Sequence, residues 1–207
     1  MIVYIESNFM LEIALEQEQS SAARSIFSLA ESRQIELAYP SFVLSEPFES
    51  VMRARRERNT TYKSLEKVLS DLERSEPHKQ IMLDLKPVIN VLKNAHERQI
   101  DLLYTIFGQL ARIGRCIHID ASIFGDASAY RDSLDLSPQD SIIYSAMVAD
   151  LKKQPEQERK CFLSRDRKAF GNDDYRSVKA ELEKHNCRYI GSFTQALDFI
   201  RSSLKKG

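Results

Sequence analysis

The chain has 207 residues, of which 43% are hydrophobic and 29% are charged, which is typical of one globular domain with a sizeable core. Basic and acidic residues balance at 30 each, so the chain has no net charge that would attract nucleic acid or membranes. Any polyanion would have to bind at a local basic patch. We see no signal peptide and no apolar run long enough to span a bilayer. Three cysteines without ligand spacing predict reduced thiols, so we expect a cytoplasmic protein with no membrane contact.

The first part of the chain predicts two strands, each followed by a helix. Residues 2–5 form a short apolar run, and helical spacing of apolar side chains follows directly, with a break near 19–21. A second strand is predicted at 35–39. The next helix begins at Pro40-Ser41, and Pro47, about a turn and a half inside it, predicts a kink there.

The middle of the chain is predicted to be helical throughout, over residues 49–113, apart from a break at Glu76-Pro77-His78. Apolar stripes on both sides of this break predict an antiparallel helical arm. No Gly- or Ser-rich linker sets the arm apart, so we treat it as an insertion at about 53–113 in a single domain spanning residues 1–207. The arm either lengthens the core or forms a surface for a dimer or another partner.

The last part of the chain predicts three more strands, at 115–119, 160–163 and 187–190, separated by helices. The strongest helix start is Leu136-Ser137-Pro138-Gln139-Asp140, with Ser at the N-cap and Pro at the first helical position. Strands that alternate with helices predict an α/β fold with a central, mostly parallel sheet of about five strands flanked by helices.

Four acidic residues follow the predicted strands: Glu6, Glu46, Asp140 and Asp166. The carboxyl ends of parallel strands meet at one edge, where open α/β sheets build their sites. Four carboxylates in one crevice would repel each other by about 4 kcal/mol per close pair at an effective dielectric of 20, unless a cation or raised pKa values relieve them. Since Mg²⁺ and Mn²⁺ prefer carboxylate oxygens, the pattern predicts a site for one of these ions.

Each acid, taken alone, also has a simpler explanation. Asp140 at the third helical position and Glu6 in a first turn would be favoured by the helix dipole. Glu46 could be a solvated helix residue, and Asp166 could start a turn. The occurrence of all four in this order favours the metal site.

The ordered segments resemble the acidic motifs of PIN-domain ribonucleases over nearly the whole chain. They are Val3–Asn8, Leu44–Glu46, Leu136–Asp140 with Tyr144 and Ala146, and Phe162–Asp166 with Phe170. The resemblance implies a central parallel sheet, a Mg²⁺- or Mn²⁺-dependent site and cleavage of RNA. It also implies frequent homodimers and, in some members, a toxin role that an antitoxin protein checks.

Two features depart from this family pattern. Glu6 stands where the first acid is usually Asp, and the extra methylene changes the metal distance, which predicts weaker activity or a preference for the larger Mn²⁺. The long helical arm is the second departure, since compact members lack it.

The predicted ligands are Glu6, Asp140 and Asp166, while Glu46 is either a further ligand or a group that positions water. Two ions about 3.5–4 Å apart would clamp the scissile phosphate, and one ion with a bound phosphate would also serve. Asp173 is the candidate fifth acid, or else a solvated acid that caps the next helix.

Polar and basic side chains near the acids are predicted to orient ligands or hold RNA. Ser164 would orient Asp166, and Asn8 would hold a carboxylate or a phosphate. Sequence-blind contacts to backbone phosphates are predicted for two basic groups: Arg53, Arg55, Arg56 and Arg58 on the helix that carries Glu46, and Arg165, Arg167 and Lys168 beside Asp166. The alternative for the arginines of the helix is a solvated face that pairs with glutamates.

The predicted function is therefore a metal-dependent endoribonuclease that cleaves RNA phosphodiester bonds through four acidic residues. Two alternatives stay open: a catalytically silent relative that binds RNA or a protein, and a structure-specific DNA nuclease. The sequence contains no Walker-type loop, G-x-G-x-x-G or G-x-S-x-G, which argues against nucleotide, dinucleotide and esterase sites.

Overall fold

The computed structural model describes residues 1–171 and 177–205, except for the side chains at 78–83, 86 and 93. Within this part of the chain, five parallel strands form one sheet: β1 (Ile2–Ile5), β2 (Glu36–Pro40), β3 (Arg115–Ile117), β4 (Lys160–Leu163) and β5 (Cys187–Ile190). Their order across the sheet is β3-β2-β1-β4-β5. The predicted α/β fold with a parallel sheet of about five strands is confirmed.

Helices connect the strands and cover both faces of the sheet. Those in the described residues are α1 (Ser7–Ala14), α2 (Ser20–Glu31), α3 (Glu46–Leu72), α4 (Lys79–Ile113), α5 (Ala121–Leu134), α6 (Pro138–Leu151), α7 (Arg167–Phe170), α8 (Val178–Glu183) and α9 (Phe193–Leu204). Two short 3-10 turns, Ser41–Leu44 and Glu76–His78, precede α3 and α4. None of these helices is both long and apolar enough to cross a bilayer.

Alternate side chains of β1 enter two separate cores, one on each face of the sheet. Val3 and Ile5 pack with apolar side chains of α1, α2, α4 and α9, whereas Ile2 and Tyr4 pack with those of α5, α6 and α8. Because both faces are covered, all four residues of β1 are buried. This explains why the strand is apolar throughout rather than alternating with polar residues.

The direction in which strands are added to the sheet reverses between β1 and β4, and this position is the switch point of the sheet. The chain builds the sheet outward from β1 through β2 to β3, then returns to the other side of β1 to add β4 and β5. Ile5 and Leu163 are register partners, so the residues after these two strands leave the sheet side by side. In open α/β sheets, ligands bind in the crevice outside such a switch point.

The predicted arm consists of α3 and α4, which pack against each other. Its base belongs to the core, since Leu103, Ile106 and Leu110 of α4 are buried and α4 also contacts α1. Farther out, both helices carry large apolar side chains that are exposed: Leu65, Val68, Leu72, Leu85, Val88 and Val91. The base of the arm therefore lengthens the core, while its outer part exposes apolar side chains, and a dimer or partner surface there stays a prediction.

The start of α3 differs from the predicted one. Residues 41–44 form a 3-10 turn, and the α-helix begins only at Glu46, so Pro47 lies in its first turn. A proline there removes an N–H that has no helical partner anyway. The predicted kink at Pro47 is therefore wrong, because the helix starts later than its apolar pattern indicates.

A buried polar network fixes β1 and β3 to α6. The Tyr4 hydroxyl donates to Asp150 Oδ2 at 2.7 Å, and Arg115 forms a two-point ion pair with the Asp150 carboxylate and a further pair with Glu36. Tyr4 is fully buried and Asp150 is nearly so. Since Asp140 lies on the same helix as Asp150, this network also sets where Asp140 lies relative to β1.

We predict that Asp150→Ala lowers the free energy of unfolding by about 2–4 kcal/mol, because it leaves the buried Tyr4 hydroxyl without its acceptor and removes the two-point ion pair of Arg115, which keeps its pair with Glu36. Urea unfolding followed by circular dichroism measures the change. Asp132→Ala is the matched control, since it removes an exposed carboxylate that pairs with the neighbouring, exposed Arg131, and it should have little effect. Equal stability losses in the two variants would contradict the role of the network.

Candidate active site

Glu6 lies at the carboxyl end of β1 and is 4% exposed. It is the N-cap residue of α1, with extended backbone angles, and its side chain does not cap the helix. Instead, Asn8 Nδ2 donates to Glu6 Oε1, and the same nitrogen lies 3.5 Å from Ser164 Oγ, across the β1–β4 switch point. The Glu6 carboxyl is thus held in the crevice by polar groups from both strands' ends.

Asp166 lies just beyond β4, where its carboxylate caps the short helix α7. Asp166 Oδ1 accepts hydrogen bonds from the backbone N–H groups of Lys168 at 3.0 Å and Ala169 at 2.9 Å. Ser164 Oγ accepts from the Asp166 N–H at 3.0 Å, which fixes the turn that carries this acid. One carboxylate oxygen of Asp166 is therefore used by the local structure.

Asp140 lies in the first turn of α6, as its motif predicts. Ser137 is the N-cap, and its Oγ accepts from the Asp140 N–H at 3.1 Å while donating to Asp140 Oδ2 at 2.5 Å. Ser137 thus caps the helix through the Asp140 N–H and also donates its hydroxyl proton to the Asp140 side chain. It points one carboxylate oxygen of Asp140 back to the helix start.

Glu46 is the first residue of α3 and is half-buried. It follows the 3-10 turn that leaves β2, so it comes from the strand next to β1. Glu46 therefore reaches the same edge of the sheet as Glu6, although five residues separate it from the end of its strand.

The four acids are close enough to affect one another's charge. Burial raises the pKa of the Glu6 carboxyl to about 8; the hydrogen bond from Ser164 lowers it, and the charges of Asp140, Glu46 and Asp166 raise it. Burial also raises the pKa of Asp140, which the hydrogen bond from Ser137 lowers and the charge of Asp166 raises. The structure thus brings the other three acids near Glu6.

The donor chemistry of this cluster suits a hard divalent cation, because every candidate ligand is a carboxylate oxygen. Asn8 Oδ1 adds a buried amide oxygen that has no hydrogen-bond partner among the described residues. However, no group of three or more His, Cys, Asp or Glu side chains among residues 1–171 and 177–205 has a geometry that could hold an ion. Part of the reason is that Asp140 and Asp166 each use one carboxylate oxygen in hydrogen bonds at a helix start, which leaves one oxygen of each for an ion.

The remaining predicted site residues, among them three arginines and Asp173, do not all lie at the acidic cluster. Arg165 forms an ion pair with the buried Glu12 of α1 and lies 3.3 Å from Glu18, so its guanidinium fastens the β4 turn to α1. Arg53 and Arg56 are exposed on α3. Asp173, the candidate fifth acid, lies outside the described residues.

Tyr189, near the end of β5, joins the site although its sequence position suggested no role. Its hydroxyl donates to the Ser164 carbonyl oxygen at 3.0 Å. Burial raises the pKa of Tyr189 to about 12, and the charges of Glu6 and Asp166 raise it while that of Arg167 lowers it. The signal that could have found it is positional, since Tyr189 lies near the carboxyl end of a parallel strand, at the edge of the sheet where the acids lie.

Comparison with known proteins adds a family assignment to this geometry. The family model described as PIN domain matches residues 3–170, which is most of the chain. The chain belongs to the PIN-domain family. Comparison with curated proteins and with solved structures gives no significant match.

Membership confirms the predicted family and agrees with the observed all-parallel sheet. PIN domains are generally nucleases and usually use divalent metal ions, and the coarse nuclease assignment follows from membership. The four-acid site, RNA as substrate, a homodimer, an antitoxin partner and a cytoplasmic location stay predictions.

The raised pKa of Glu6 predicts how the stability of this PIN domain depends on pH. Its pKa rises from an ordinary 4.5 to about 8 on folding, so between these values the folded state holds a proton that the unfolded state has lost. The stabilisation is therefore complete below about pH 4.5 and is lost as the pH rises toward 8.

We predict that Glu6→Gln, which cannot ionise, raises the free energy of unfolding at pH 8 by on the order of 2–4 kcal/mol and flattens its pH dependence. Urea unfolding in EDTA at pH 5, 6.5 and 8 measures this. The control Glu49→Gln removes an exposed carboxylate and should keep the wild-type slope. Parallel pH profiles for wild type and Glu6→Gln would show that Glu6 is not held at a raised pKa.

Proposed function

We propose that this PIN domain is a metal-dependent endoribonuclease that hydrolyses RNA phosphodiester bonds at the cluster of Glu6, Glu46, Asp140 and Asp166. The observation that carries the proposal is the buried Glu6 carboxyl, which lies at the switch point with a pKa of about 8 in the field of three other acids. Such a cluster is unfavourable when all its members are ionised. A divalent cation would offset the repulsion and hold Glu6 in its charged form.

Glu6, Asp140 and Asp166 would hold the ion, and Glu46 would be a fourth ligand or a group that positions water. Asp140 and Asp166 each use one oxygen for a helix start, which leaves the second oxygen of each carboxylate for a ligand. When bound, a divalent ion supplies Lewis-acid stabilisation of charge on the phosphate and lowers the pKa of water.

The chain's own residues orient this set. Asn8 and Ser164 hold the carboxyl of Glu6, and Ser137 holds that of Asp140. Partners of this kind fix the direction of carboxylate ligands and strengthen a site without touching the substrate. Glu46 is half-buried, so its carboxylate can accept a proton from a water molecule at the mouth of the crevice.

Glu6 also bears on the choice of ion. Its side chain is one methylene longer than the usual Asp, so it reaches farther from the end of β1 and suits the larger Mn²⁺ better than Mg²⁺. The preferred substrate is single-stranded or structured RNA, by the resemblance of the motifs. Parallel cleavage assays on RNA and DNA would distinguish this function from that of a structure-specific DNA nuclease.

A catalytically silent relative that binds RNA or a protein is the second candidate. It is favoured by Glu6 in place of the usual Asp and by the lack of a preformed ligand group within the described part of the chain. Calorimetric titration with Mn²⁺ separates the two functions. A silent relative binds little metal, and Asp140→Asn does not change that.

We predict that Asp140→Asn lowers the rate of Mn²⁺-dependent RNA cleavage at least about 100-fold while leaving the fold intact. The amide keeps the shape of the side chain but removes the charge that a cation needs. Rates are measured on labelled single-stranded RNA and on DNA of the same sequence, with circular dichroism as the folding check. Asp126→Asn, an exposed residue of α5, is the matched control and should cleave like wild type. Full activity in Asp140→Asn would refute the proposed site.

A further inference from the structure

A second feature of the fold is a groove of about 1240 Å³ that follows the edge strand β5. Its lining includes Arg159 and Asn186, which precede β4 and β5, and Arg167 and Gly191, which follow them. The groove therefore runs the full length of the strand, about 13 Å for four residues at about 3.3 Å each. The proposed catalytic role uses none of this surface.

The charge of the groove contrasts with that of the whole chain. Its described lining contains five basic residues and one acidic residue, Glu183, although Lys+Arg and Asp+Glu are equal over the sequence. The five basic residues are Arg159, Lys160, Arg167, Lys179 and Arg188. A concave surface lined by one sign of charge concentrates ligands of the opposite sign.

Within the described residues, three of these basic side chains contact an aromatic ring or backbone carbonyl oxygens rather than carboxylates. Arg188 lies over the ring of Phe199, with its guanidinium carbon 5.2 Å from the ring centroid. Arg159 Nη1 donates to the Ser203 carbonyl oxygen at 3.3 Å. Lys160 is buried beneath them, and its ammonium donates to the Pro155 and His185 carbonyl oxygens at 2.7 and 3.3 Å. The floor of the groove therefore carries positive charge of its own.

One end of the groove lies next to residues of the acidic cluster. Arg167 lines it and directly follows Asp166 in the chain. Tyr189 also lines it and donates its hydroxyl to Ser164, the residue that contacts Asn8 and Asp166. The junction is narrow at Gly191, where the absence of a side chain keeps it open: a Cβ there would lie 3.2 Å from the Tyr189 hydroxyl and 3.4 Å from Arg167 Nε.

We propose that the β5 groove is a track for the sugar-phosphate backbone of single-stranded RNA, and that it leads the strand to the acidic cluster. The proposal rests on the proposed nuclease function. Arg159 and Arg188 would bind phosphates away from the cleavage site, and Arg167 would bind the phosphate next to it. Tyr189 and Phe199 offer ring surfaces beside these cations, the combination with which proteins bind single strands without reading sequence.

The charge balance favours this ligand over a polypeptide. An extended peptide could add to the open edge of β5 through its backbone, but that pairing requires no cations. Phosphates spaced along a strand match several cations placed along one groove, and their counterions are released on binding. The affinity should therefore depend steeply on salt.

The test compares Arg159→Gln/Arg188→Gln with the matched control Lys152→Gln/Lys153→Gln, which removes two exposed charges outside the groove. Fluorescence anisotropy in EDTA measures the affinity for labelled single-stranded RNA of about 6 and about 20 nucleotides, between about 50 and about 200 mM KCl. Cleavage of both RNAs with Mn²⁺ is measured in parallel. A third variant, Arg159→Lys/Arg188→Lys, keeps the charge and checks for losses due to folding.

We expect the groove variant to bind the long RNA roughly tenfold more weakly, with a salt slope reduced by about 1.4 for two lost phosphate contacts on a single strand. Its ratio of kcat/KM for long over short RNA should fall to a similar extent, while the control and the lysine variant stay near wild type. The proposal is overturned if the groove variant keeps the wild-type affinity and salt slope, or if the wild type binds no RNA in EDTA. If instead only the proposed nuclease function is wrong, RNA binding would still depend on the groove, but Mn²⁺ would produce no cleavage.

Discussion

The structure of this PIN domain depends on one constraint, a buried carboxyl with three other acids around it. Glu6 leaves β1 where the order of the sheet reverses, so side chains from β1 and β4 and from the starts of α3 and α6 face one crevice. Burial alone would favour a neutral Glu6, and the neighbouring charges add to the same effect. A cation in the crevice is the simplest way to make this arrangement favourable, and the nuclease account follows from it.

The structural and functional explanations of these acids are compatible. Asp140 stabilises the start of α6 through Ser137, and Asp166 caps α7, which are the simpler explanations that the sequence offered. Each role uses one oxygen of a carboxylate that has two. Helix starts at the carboxyl edge of a parallel sheet therefore place acids at the crevice and hold them in a fixed direction at the same time.

The sequence predicts most of the fold, because its signals are local. The strand at 160–163 and the α6 cap at Ser137 coincide with the structure, since buried runs and capping residues act over a few positions. The prediction of a kink at Pro47 was wrong because the 3-10 turn before it has no distinctive sequence pattern. Contacts between distant segments were also missed: Glu12 engages Arg165 across 153 positions, and Tyr189 reaches Ser164 only because β4 and β5 are paired.

The most direct test of the central claim is anomalous diffraction from crystals of the wild-type protein soaked in Mn²⁺. The account predicts a manganese peak at the β1–β4 switch point, within ligand distance of the carboxylate oxygens of Glu6, Asp140 and Asp166. A soaked crystal with no peak in that crevice, or with Glu6 still bonded only to Asn8 and Ser164 while the ion binds elsewhere, would contradict it.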